Sequence, residues 1–188
     1  LCPENFNARF MAVELDPTTS AIARYLYPKE QHLNIGFQNS LIRSGGIDAV
    51  VGNPPFGNQS LYDPDFPELR KFSVHNYFLA KSIDLLREGG VASFVVSRYF
   101  MDSADSTVRE HISQYADFLG AVRLPENAFR QNALTDVTAD VVFFQKNSGE
   151  KLYSRDWVNT ASIEVDDLKN GGRRPATINS YFVENPRQ

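Results

Sequence analysis

Apolar residues in this chain fall into two rhythms. Short dense runs at positions 9–14, 32–37, 47–51, 91–97, 118–124 and 139–145 have the length and the β-branched or aromatic content of strands. Several segments between them carry apolar residues at helical spacing. Asp16 is a good N-cap and Pro17 a good first helical residue; Ala21, Ile22, Tyr25 and Leu26 follow, and Pro28 closes the helix. Ser73 or His75 opens a second helix through Tyr77, Phe78, Ala80, Lys81, Ile83, Leu85 and Leu86, and Gly89-Gly90 is placed to cap it. Ser103 opens a third that reaches Tyr115, with Val108, Ile112 and Tyr115 inward. Strand, helix and strand in repetition predict an α/β fold, a Rossmann-like and mostly parallel sheet. The last two runs are joined by roughly 15 residues with no helical pattern, which predicts an antiparallel hairpin at the sheet edge. Residues 141–144 are apolar enough to be central. From position 148 the chain turns polar. The pattern thus divides it into an α/β domain, 1–147, and a C-terminal extension, 148–188, that packs on the domain near Trp157 or leads out of it.

The run 47–51 is predicted to be a buried strand, and it ends in Gly52-Asn53-Pro54-Pro55-Phe56. Two adjacent prolines have fixed φ and no N–H, and Pro54 pushes Asn53 out of the helical region. The backbone is stiff where it leaves the sheet. The Asn53 amide, the Pro54 carbonyl and the Phe56 ring are then presented together at the carboxyl end of a strand, the edge where open α/β sheets bind ligands. Two acceptors held close together suit an NH2 group on a planar ring, with Phe56 stacked on that ring. They draw the amine lone pair out of conjugation and make it nucleophilic. Without such a ligand, the same residues read as a rigid turn.

Other positions fall near the same edge. Glu14 ends the run 9–14 just before a helix, where an acid binds ribose hydroxyls in dinucleotide-type sheets. Ser97 and Arg98 lie at the carboxyl end of the run 91–97, next to the proposed site. Residues 57–72 form a long polar segment interrupted by proline, read as a lid over a substrate or a wall facing nucleic acid.

Asn-Pro-Pro-Phe after a strand resembles motif IV of the S-adenosylmethionine-dependent amino-methyltransferases, in particular the DNA adenine-N6 methyltransferases. Val13-Glu14-Leu15-Asp16-Pro17 resembles motif II of that family, and Leu86 to Gly90 followed by a strand resembles the segment around motifs V and VI. The resemblance implies S-adenosylmethionine as cofactor, with Glu14 on its ribose, Gln38 near its adenine where the family usually carries an acid, and Asn53 beside it. It implies Asn53, Pro54, Pro55 and Phe56 as the catalytic corner. Leu124-Pro125-Glu126-Asn127-Ala128-Phe129 resembles motif VIII, which implies that Phe129 stacks on a flipped base opposite Phe56. Residues 178–186 look like the segment after the methylase module in large phage and plasmid helicase–methylase proteins. The same corner occurs in methyltransferases acting on guanine amines of ribosomal RNA and on a glutamine amide in release factors. A non-catalytic binding module is a further reading.

Composition changes this picture in three places. The ribose acid normally lies ~20 residues after a glycine-rich loop, and residues 1–13 contain no glycine. The sequence therefore reads as starting inside a methyltransferase domain, and the piece by itself is expected to be inactive and to bind S-adenosylmethionine weakly. A net charge of −4 is the wrong sign for a tight autonomous DNA binder. Most phosphate contacts are expected from other domains of a longer polypeptide. One cysteine and three scattered histidines give no metal-ligand spacing. With no signal peptide and no membrane-length apolar run, a cytoplasmic setting is the default expectation.

Overall fold

In the computed structural model the described residues are 8–125, 128, 138–148, 155–166 and 171–188. Strands β1 (Met11–Val13) and β2 (Gln31–Leu33) pair in parallel, connected by helix α1 (Pro17–Leu26). The start signal acts as read: Asp16 Oδ1 accepts from the Thr19 amide at 2.7 Å, with Pro17 inside the first turn. The apolar face of α1 is not buried. Tyr25 is exposed, as are Ile22 and Leu26, and Ser20 is the buried residue of the helix. The run 32–37 is not one strand either. It splits into the end of β2 and a 3-10 turn, Phe37–Asn39.

The main sheet has four strands in the order β3-β4-β6-β5: β3 (Ile47–Gly52), β4 (Leu86–Ser97), β5 (Ala116–Arg123) and β6 (Ala139–Lys146). β3 and β4 run parallel, while β6 is antiparallel to both β4 and β5. The apolar run 141–144 thus lies inside the sheet, and β5 forms the edge. At the other edge, β3 is not the buried strand that its composition predicts. β4 is its one hydrogen-bonded neighbour among the described residues, and Val51 is 86% exposed.

Helix α2 (Val74–Leu85) is buried on nearly every side, as a helix inside a core must be. Tyr77, Leu79 and Ile83 meet Phe94 and Val96 of β4, Val142 and Phe144 of β6, and Ile112 of α4 (Thr107–Tyr115) in one cluster. The polar C-terminal segment contributes to it. Trp157 stacks on Phe118 at 4.9 Å and 18°, and Val158 and Phe182 are buried beside it. Strands β7 (Thr160–Asp166) and β8 (Arg173–Asn179) form a hairpin that leads into α5 (Ser180–Glu184).

Two expectations at helix ends are corrected. Gly89-Gly90 does not cap α2. That helix ends at Leu85, Leu86 is already extended, and both glycines lie within β4. Gly89 takes φ +71°, and an added Cβ at Gly90 would lie 3.0 Å from Asp48 O of β3 and 2.9 Å from Arg87 O of its own strand. Gly90→Ala is therefore expected to cost about 1–3 kcal/mol, read as a lower urea midpoint.

The predicted helix 103–115 is two helices. Ser103 caps the C-terminus of α3 (Arg98–Asp102), and α4 starts four residues later. Between them the Asp105 amide donates to Ser103 Oγ at 3.2 Å, and Asp105 Oδ1 accepts from the Thr107 amide at 2.9 Å. Such local bonds compete with helix. In α4, Val108 and Ile112 face inward, but Tyr115 is 46% exposed, and the other buried positions belong to Arg109 and Ser113. The Arg109 guanidinium donates to the carbonyls of Val158, Phe100 and Ser103 at 2.9, 2.8 and 2.7 Å. Together with Asn179, which donates to Met101 O and Trp157 O, it fixes α3 against the C-terminal segment.

Candidate active site

β3 ends at Gly52, and the chain leaves the sheet through Asn53-Pro54-Pro55-Phe56. Pro54 is buried, while Asn53 and Pro55 are exposed and Phe56 is 52% exposed. Phe56 stands at the wall of a cleft of about 670 Å³. The start of α2 supplies Ser73, His75 and Asn76 to this cleft. The carboxyl end of β4 supplies Ser97, and α3 supplies Tyr99 and Phe100. The parallel pairing of β3 and β4 is what sets Phe56 and Ser97 at one end of the sheet. Ser97 Oγ also accepts from the Tyr99 amide at 3.4 Å, capping α3.

His75 lies 5.4 Å from Phe56 and 6.3 Å from Phe100, ring centre to ring centre. Its Nδ1 is 3.2 Å from Asn76 Oδ1. Nε2 is buried with no hydrogen-bond partner among the described residues. Sequence reasoning treats His75 only as a helix residue. Its position two places after the Ser73 cap, at the end of the segment that follows Phe56, is the signal that could have found it.

Burial holds His75 below its ordinary 6.5, and burial, aided by Lys71, does the same for His111. As pH falls below 6.5 the unfolded chain takes up these protons first. Both groups thus contribute stability above that pH and lose it as pH drops towards their folded-state values. The melting temperature is expected to fall steadily between about pH 7.5 and about pH 5.5. A rise on acidification contradicts this account of the two rings.

Glu14 directly follows β1. Its amide donates to Leu33 O at 3.0 Å, and its Oε1 accepts from the Asp16 amide at 2.8 Å. The Asn34 amide group bridges the carbonyls of Glu14 and Leu15 at 2.8 and 3.0 Å. The carboxylate is thereby held at the carboxyl ends of β1 and β2. Gln38 sits in the 3-10 turn after β2. Its side chain folds over Gly36, where an added Cβ would meet Nε2 at 2.6 Å. Glu14 and Gln38 thus belong to the β1–β2 pair, whereas Phe56 and Ser97 share the cleft. Phe129 lies outside the described residues.

Residues 57–72 do not form a free lid. Pro67–Lys71 is a 3-10 helix, and Asp63 is buried against α2. The Asp63 carboxylate accepts from the Tyr77 hydroxyl and from Lys81 Nζ, the latter at 2.8 Å. Burial alone would raise this carboxyl. The bonds from Lys81, Tyr77 and the Asp65 amide outweigh burial and leave it below its ordinary 3.8. Among the described residues no group of His, Cys, Asp or Glu is arranged to hold a metal ion, and no helix is long and apolar enough to cross a membrane.

The fold is that of the Rossmann-like methyltransferases. A modification subunit of a putative type I restriction enzyme from Vibrio vulnificus YJ016 superposes with a TM-score of 0.64 at 17% identity, covering 94% of this chain and 40% of that one. A putative class I S-adenosylmethionine-dependent methyltransferase from Listeria monocytogenes also gives 0.64 at 17% identity, covering 80% and 49%. Residues 5–129 match the Eco57I restriction-modification methylase family, and the chain belongs to that family. It is 27% identical over 157 residues to the defense against restriction protein B of Escherichia phage P1, covering 81% of this chain and 7% of that relative's length.

Proposed function

We propose that this chain carries the catalytic corner of a DNA methyltransferase, which moves a methyl group from S-adenosylmethionine to the exocyclic N6 amine of adenine. The observation that carries this reading is the corner itself. Asn53 and Phe56 are both exposed just past the carboxyl end of a strand, and Phe56 lines a cleft, in a chain of a restriction-modification methylase family. When bound, the cofactor supplies an activated methyl on a sulfonium. The residues present fit it: the Glu14 carboxylate suits two ribose hydroxyls, and the Gln38 amide can both donate to and accept from an adenine edge.

The rest of the work falls to this chain. Asn53 Oδ1 and the Pro54 carbonyl would accept the two amine hydrogens and so orient the nitrogen lone pair for transfer. Pro54 and Pro55 keep that geometry without help from a ligand. Phe56 stacks on the adenine ring, with Ser97 at the rim of the cleft. Positioning and fixed dipoles supply the acceleration, with no nucleophilic side chain. In a duplex one amine hydrogen is given to the paired base and both ring faces are stacked, so the base must be flipped out, at a cost of a few kcal/mol. We take 1–147 as the catalytic domain and 148–188 as an extension packed on it. With a net charge of −4, most phosphate contacts come from other parts of a longer polypeptide.

Offering the full-length protein labelled cofactor with DNA, ribosomal RNA and a release factor in parallel tests this reading. Label is expected in DNA; label confined to RNA or protein overturns it. Phe56→Ala is expected to lose stacking worth about 1–3 kcal/mol, seen as a lower kcat/KM for DNA, whereas Phe56→Tyr keeps most of it.

A further inference from the structure

Three parts of the chain that are distant in sequence meet at one ammonium group. Lys81 lies in the middle of α2, and its side chain and that of Asp63 are each 1% exposed. Its Nζ donates to Asp63 Oδ2 and to the Phe37 carbonyl, both at 2.8 Å. The rings of Phe37, Phe66 and Tyr77 enclose it, with centres 4.9, 5.1 and 5.9 Å away. Phe37 opens the turn that carries Gln38. Asp63 and Phe66 belong to the segment that leaves Phe56, and α2 carries His75. That segment is strapped to the start of α2 a second time, through the Val74 amide and Gln59 O at 2.6 Å.

A buried ion pair is a poor way merely to hold a loop down, because desolvation consumes most of the attraction and an apolar pair of similar volume serves as well. Its distinctive property is interdependence. If the Phe37 turn shifts, Nζ loses a carbonyl partner. If the segment shifts, a charge is left buried without its counter-charge. A shift of either side alone therefore carries the cost of a stranded buried group.

We propose that the Asp63–Lys81 pair couples the Phe37–Asn39 turn to residues 56–72, so that a ligand bound at the turn orders the segment that carries Phe56. Lys81 and Asp63 are then positioning residues: they touch neither substrate nor cofactor. The proposal rests on the reading above, in which Gln38 faces the cofactor and Phe56 the acceptor base.

Hydrogen exchange of the full-length protein, with and without S-adenosylhomocysteine, tests it without requiring turnover. In the wild type, exchange is expected to slow at 36–39 and also at 57–72, the latter by about five- to 150-fold, the usual range for coupling between sites. In Lys81→Met/Asp63→Asn both charges are removed together. Protection at 36–39 is expected to persist there, and protection at 57–72 to vanish. Protection that reaches 57–72 equally in this variant overturns the coupling, as does wild-type protection confined to 36–39. Should the double variant unfold, Asp63→Asn alone, which retains an acceptor for Tyr77, is expected to reduce the spread; an unchanged spread overturns the proposal. Failure of S-adenosylhomocysteine to bind the wild type at all removes the methylase reading itself, a result distinct from the others.

Discussion

Asn53→Ala in the full-length protein is expected to lower methyl transfer by about 10²–10³-fold, the scale for removing one fixed group that acts on developing charge. The melting temperature is expected to stay unchanged. The two halves of this prediction have separate causes. Asn53 is exposed just beyond β3, and its side chain fills no part of the core. Its truncation leaves no cavity and strands no buried partner. What is lost is one of two acceptors on the amine, and with it the orientation of the lone pair. Asn53→Asp keeps an acceptor oxygen but places a full negative charge beside the reacting nitrogen, so it is expected to recover part of the rate. Single-turnover kinetics with saturating cofactor measure both variants. An Asn53→Ala protein with near-normal turnover excludes the proposed role.

Lys81→Met is expected to destabilise the fold by about 3–5 kcal/mol, because it leaves the Asp63 carboxylate buried without its counter-charge. Lys81→Met/Asp63→Asn is expected to regain most of this loss, since a neutral pair of similar size removes the stranded charge. Urea unfolding of the single and double variants measures the difference. A double variant no more stable than the single contradicts the assignment.

The pH dependence follows from the sign of the shift at Asp63. Its folded-state value lies below 3.8, so the carboxylate contributes stability above that pH and loses it as pH falls through the folded value. The gap between wild type and Lys81→Met is therefore expected to be full near neutral pH and to close in strong acid.

Local chemistry was the legible part of this chain. Asp16-Pro17 and Ser73 announce their helices because the capping oxygen and the missing N–H act within one turn, whatever surrounds them. The corner after β3 could be read for the same reason, since two prolines dictate the backbone by themselves. What could not be read depends on distant partners. Gly89-Gly90 has the look of a helix cap, yet Gly90 is required by the carbonyls of Arg87 in its own strand and of residues 47 and 48 in the neighbouring one. The exposure of β3 and of the α1 face depends on which elements lie alongside them, and composition does not encode that. Periodicity assigns charged positions to solvent. It therefore misses Arg109 and Asp63 and gives Lys81 no role beyond its place in the helix; all three are buried because carbonyls and counter-charges from other elements meet them. His75 escaped for a related reason. Its place in the cleft comes from the packing of α2 beside Phe56.

The most direct measurement is the identity of the methylated nucleoside. DNA treated with the full-length protein and labelled S-adenosylmethionine is digested, and the labelled product is identified by mass spectrometry. Asn53 and Pro54 gripping both hydrogens predict a methyl on an exocyclic amine, and the adenine assignment predicts N6-methyladenine, which N4-methylcytosine in its place would overturn. A methyl group on a ring carbon or a ring nitrogen would contradict that grip.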